Sequence, residues 1–236
     1  MALMIGMPLA SQAAYKEVAV KNGGAITGKV TFTGIRPSPV VFKVTKDEKV
    51  CGTADRKIDY VAVNKDALEN VVVYLDKVEE GKAFPAVMNK TVIDQKGCAF
   101  RPFLQVMKSG NEIAAVSSDP VTHNIHTYEI LGPDSRRTLF NVSQPEPGTV
   151  VKEVSLKRGN AIKVECDAHE FMHGFVFVAS NPYFAVVNKD GSFTIDNVPP
   201  GEYTIKAWHG TLGDQQAKVT VAAGGKATVS FKFKGE

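Results

Sequence analysis

Helical periodicity is almost absent from this 236-residue chain. What recurs is a short alternating or apolar run closed by Gly, Pro, Asn or Asp. "AITGKVTFTG", "VVFKVT", "NVVVYLDKV", "HNIHTYEIL", "NAIKVEC", "GFVFVAS", "SFTIDNV" and "EYTIKAWHG" are typical. Period-two alternation sends successive side chains to opposite faces of a strand, so such a chain buries its apolar faces by packing sheet on sheet. The expected fold class is all-β, and the length suits two domains. Only "KDALEN" and "VEEGKAFPA" leave room for a helical turn.

Charge narrows the function. The net charge is +3, and the longest basic clusters are the pairs Arg136-Arg137 and Lys157-Arg158. Pairs of this kind are ordinary solvated loop residues, so no nucleic-acid partner is expected. The opening "MALMIGMPLASQAAYKEV" is an uncharged apolar run followed by small residues, with Ser11 and Ala13 in a small-x-small arrangement. It reads as the remnant of an export signal over residues 1–14, with a true start upstream or a few residues lost, and a mature chain beginning near Ala14. No later segment approaches the roughly 18 apolar residues of a transmembrane span. Periplasmic or extracellular localisation, with envelope association possible, is the expectation. Of the three cysteines, Cys51 and Cys98 sit in Gly-bearing loops far from any His and can pair, which leaves Cys166 as the odd thiol.

The last third is the most regular. A Lys189-Asp190-Gly191 turn leads into a strand with Phe193 and Ile195 on one face. A Pro-Pro-Gly turn follows, then a strand with Tyr203, Ile205 and Ala207 inward, and a hairpin around Gly224-Gly225. From Gly191 to Tyr203 this resembles the carboxypeptidase regulatory-like, transthyretin-like β-sandwich. That family's opening Gly-x-Val strand has its counterpart in "AITGKVTFTG", residues 25–34. Strands after residue 183 alone would leave an apolar face uncovered. The expectation is therefore one sandwich built from residues 15–87 and 182–236, split by a second domain over 88–181; two tandem domains are the alternative.

Within 88–181, "VECDAHEFMHG" gathers a thiol, two imidazoles and a thioether between Cys166 and His173, and "HNIH" adds His123 and His126. One thiolate, two imidazoles and a weak thioether form a blue-copper ligand set, since the sulfurs favour Cu(I) while imidazole accommodates Cu(II). Cys-x-x-His-x-x-Met-x-Gly before an apolar strand, together with His-Asn-x-His upstream, resembles the cupredoxin family, in its short-loop amicyanin and plastocyanin-like form. The resemblance covers about residues 90–180. It implies a Greek-key sandwich holding one type 1 copper ion on His123, Cys166 and His169, with Met172 axial and Asn124 bracing the ligand loop. Ala168 and Glu170 stand where Pro is common in that family, which loosens the loop. His126 and His173 read as supporting or surface residues, and His209 as surface or interface.

The expected function is one-electron transport between a redox donor, such as a periplasmic dehydrogenase, and an acceptor such as a c-type cytochrome. His169, ringed by Phe171 at the surface, would be the electron exit. No enzymatic activity is expected, because His126, His173 and His209 are too scattered for a second copper with an open position. A copper chaperone or store, drawing on His173, His126 and Met107, is the alternative, and a non-redox adhesion or scaffold protein the third reading. Nothing in the residues selects an oligomeric state.

Overall fold

The computed structural model describes residues 15–235; the expected export segment, residues 1–14, lies outside the described residues. The fold is all-β, a set of sheets packed face to face around separate cores. One sandwich draws its strands from both ends of the chain. Val71–Leu75 runs antiparallel between Phe184–Val186 and Gly201–His209, with Gly213–Val221 beyond. In its other sheet Gly24–Thr33 pairs antiparallel with Ser192–Val198, and parallel with Lys226–Thr228 and Phe231–Lys234. Ile26, Val30, Val71, Val73, Phe193, Ile195, Ile205 and Phe233 meet in its core. Inward residues two apart along each run explain this, because they share a face.

The second sandwich lies between those chain segments. One sheet orders Phe100–Arg101, Thr91–Gln95, Glu112–Ser117 and Gly148–Glu153. The other orders Leu104–Lys108, His173–Ala179, Ala161–Glu165, His123–Gly132 and Ser135–Gln144. The long strand Ser135–Gln144 has no counterpart among the runs read from the sequence. It is the edge of its sheet, and only Leu139, Phe140 and Val142 of "SRRTLFNVSQ" pack partly on the core, so its apolar signal is confined to the second half and too short to stand out. "KDALEN" holds a turn and the short strand Ala67–Leu68 rather than a helical turn. A 3₁₀ turn at Ala86–Asn89 begins where "VEEGKAFPA" ends, and Glu48–Cys51 forms an unanticipated helical turn.

Two features position the site. Trp208 packs against Phe175 and Phe177, ring centroids 6.0 and 5.6 Å away, and this third apolar cluster joins the sandwiches. Residues between the paired strands Val40–Phe42 and Arg56–Ile58 reach the second sandwich, where Val44 and Cys51 enter the core that holds Cys166. Cys51 and Cys98 are joined in a disulfide, as their loop settings led us to expect. Among the described residues no helix is long and apolar enough to cross a membrane.

Candidate metal centre

Strand parity aims the side chains. Ile162 and Val164 are buried on the inner face of Ala161–Glu165, and Cys166, two residues on, continues that face into the core. Along His123–Gly132 the inward set is His123, Ile125, Thr127 and Glu129, all buried. His126 falls on the opposite parity and faces outward. Glu165 and His173 form the last ladder pair, so Cys166 to Met172 is the connection between two adjacent strands. Two successive turns fold it back: the His169 amide donates to the Cys166 carbonyl at 3.2 Å, and the Met172 amide to the His169 carbonyl at 2.9 Å. The Cys166 amide closes the loop on the Met172 carbonyl at 3.3 Å.

The result is a triangle of donor atoms. His123 Nδ1 and His169 Nδ1 lie 3.1 Å apart, and Cys166 Sγ is 4.0 Å from the first and 3.8 Å from the second. The point equidistant from all three lies about 2.1 Å from each, which matches first-row metal–nitrogen and metal–sulfur bond lengths. Met172 is buried in the same apolar cluster as Cys166. Asn124 ties the loop to its neighbour strand: its amide nitrogen donates to Cys166 Sγ at 3.5 Å, and its side-chain oxygen accepts from the Ala168 amide at 3.2 Å.

Each imidazole has a carboxylate behind it. His123 Nε2 lies 3.0 Å from Asp119, whose two oxygens also accept from the Gly97 and Cys98 amides at 2.7 and 2.8 Å. His169 Nε2 lies 3.0 Å from Asp47. Burial raises the Asp119 carboxyl, but the two amides and His123 outweigh it and hold the group below its usual range. Carboxylates only accept, so each ring carries a hydrogen on Nε2 and, in its neutral form, turns a bare Nδ1 lone pair toward the other. Two facing lone pairs 3.1 Å apart in a buried pocket repel unless something electrophilic lies between them. Burial pushes the Cys166 thiol up, against the Asn124, His169 and Ala168 amides, and pushes His169 down despite Asp47. Burial thus keeps the His169 ring neutral, as a nitrogen ligand must be, while a bound cation would displace the Cys166 proton to leave a thiolate; the residues present fit copper.

The expected surface exit is not there. His169 is 1% exposed and Phe171 only 5%, because the segment around Glu48–Cys51 lies over the loop. Phe171 is sandwiched instead, tilted on the His169 ring at 5.5 Å with the Arg56 guanidinium 5.4 Å from its centroid. Asp47 and Asp119 were missed in the sequence. Asp47 acts across 122 residues of chain, although "SSDPVTHN" does place Asp119 four residues before His123.

The other candidates lie apart from the triangle. His126 bonds Asp167 at 3.0 Å and stacks on Tyr128. His173 packs between Phe42 and Tyr60 with no hydrogen-bond partner among the described residues, and Met107 is core. His209 is buried in the other sandwich, where Nδ1 accepts from the Thr211 and Leu212 amides and burial lowers its pKa to about 4.

Residues 177–229 match the family model described as polysaccharide lyase family 4, domain II. That description differs from the carboxypeptidase regulatory-like resemblance drawn for the same stretch, and it covers under a quarter of the chain. No curated protein sequence matches the chain. Among solved structures, the purple cupredoxin from Nitrosopumilus maritimus is similar at 19% identity over 38% of this chain and all of that one, with a TM-score of 0.32. Amicyanin from Paracoccus versutus is similar at 17% identity over 40% of this chain and 84% of that one, with a TM-score of 0.31. At these values the likenesses carry no weight for the site, which rests on its own distances.

Proposed function

We propose that this is an exported type 1 copper protein that carries single electrons between a redox donor and acceptor and catalyses no reaction of its own. The observation that supports the reading is the buried triangle of Cys166 Sγ, His123 Nδ1 and His169 Nδ1, with both lone pairs turned inward by carboxylates. Copper, when bound, would supply a centre that alternates between Cu(I) and Cu(II). Cys166 would serve as the thiolate ligand and the two imidazoles as nitrogen ligands, with Met172 the weak axial thioether. Asn124 would hold the sulfur and the loop in place, and the packed β-scaffold would keep the donors from rearranging between oxidation states. A c-type cytochrome or a periplasmic dehydrogenase is the proposed redox partner. The Cys51–Cys98 disulfide supports an oxidising compartment.

The test is the visible spectrum of protein refolded with Cu(II), before and after ascorbate. An intense band, bleached by ascorbate and restored by reoxidation, is expected, and Cys166→Ser should abolish it. A band that survives this substitution would refute thiolate ligation. A colourless wild-type protein that retains only Cu(I) would favour copper handling instead.

A further inference from the structure

The covering of His169 is built rather than incidental. Asp47 holds a left-handed backbone conformation, φ 54° and ψ 30°, which is uncommon for a residue with a side chain. It stands at the N-cap of Glu48–Cys51, where an Asp normally turns its carboxylate onto the helix amides. Here the side chain makes no cap hydrogen bond; the Val50 and Cys51 amides donate to the Asp47 backbone carbonyl at 2.9 and 2.8 Å. The carboxylate is left free to reach His169 Nε2. Four residues on, Cys51 fastens the turn to Cys98, and an Nδ1 or Nε2 of His169 lies within 4.8 Å of both sulfurs. Arg56 adds a second fastening, donating to the Cys51 and Gly97 carbonyls while it covers Phe171.

Resting on the copper reading, we propose that residues 47–56 form a disulfide-stapled cap whose Asp47 is a positioning residue for His169, and that this cap closes the His169 edge to redox partners. Asp47 orients the ring, holds its hydrogen on Nε2 and places a negative charge behind one copper ligand. Asp119 does the same behind His123. Charge on that side favours the higher oxidation state, so the pair sets the potential low. With its His169 edge covered, the centre exchanges electrons through another face of the second sandwich.

Two measurements test this separately from copper binding. In the copper-loaded protein, Asp47→Asn keeps an oxygen acceptor and an easily left-handed residue but removes the charge. Its reduction potential should rise above the wild-type value with the visible band retained; an unchanged potential would overturn the charge role. In the metal-free protein, diethylpyrocarbonate labelling read by mass spectrometry should leave His169 protected. Labelling of His169 should increase at least tenfold in Cys51→Ala/Cys98→Ala and in Asp47→Gly, which suits the backbone and removes the carboxylate. Buried His209 should stay protected in both and so reports retained folding. His169 labelling as slow in both variants as in wild type would overturn the cap. If copper fails to bind, the labelling still decides the cap, so the two readings fail independently.

Discussion

Glu129→Gln probes the strand that carries His123, at its far end. Glu129 is 0% exposed, on the same inward face as His123 and Ile125. One carboxylate oxygen accepts from three successive amides, Lys157, Arg158 and Gly159, at 2.7–2.8 Å. The other takes the Arg137 guanidinium at 2.6 and 3.1 Å. The approach is close enough that a side chain at Gly159 would strike the Ile130 carbonyl. Burial raises the Glu129 carboxyl, yet the donors prevail and hold it at about 2 against an ordinary 4.5. That difference corresponds to about 3 kcal/mol at neutral pH, at about 1.36 kcal/mol per unit. Because the pKa is depressed, the contribution is complete above pH 4.5 and is lost as pH falls toward 2. In urea unfolding, Glu129→Gln should be about 3 kcal/mol less stable than wild type at pH 7 and less than about half as much at pH 3. A deficit that is equal at both pH values would mean that shape, not charge, anchors the 157–159 turn, and the reasoning would fail.

Met172→Leu should keep the visible band and shift the reduction potential, since the thioether is proposed as a weak axial ligand; a colourless product would mean the site cannot form without it. Trp208→Ala removes the ring wedged against Phe175 and Phe177 between the sandwiches, a truncation worth about 3–5 kcal/mol in a packed setting. Calorimetry should then resolve two transitions, one for each sandwich. A single transition at the wild-type temperature would show that Trp208 does not couple them.

The strand content and the inward faces were legible because alternation is a local code. Ile162, Val164 and Cys166 share a parity, as do His123, Ile125 and Glu129, and a strand cannot place such residues on different faces. The crowding of Cys166, His169 and Met172 was legible for the same reason, since seven residues between two paired strands have nowhere else to go. The edge strand Ser135–Gln144 was not, because most of it is solvated and only Leu139, Phe140 and Val142 pack partly on the core, too short an apolar run to stand out. Nor was the fate of His169. The sequence by itself determined an all-β chain, a free thiol at a strand end beside two imidazoles, and a pair of cysteines able to cross-link. Only the tertiary structure decided that the cross-link lays Asp47 over His169 and buries Phe171 under Arg56. Those contacts join residues far apart in the chain, where no local periodicity records which loop will cover which end of a sandwich.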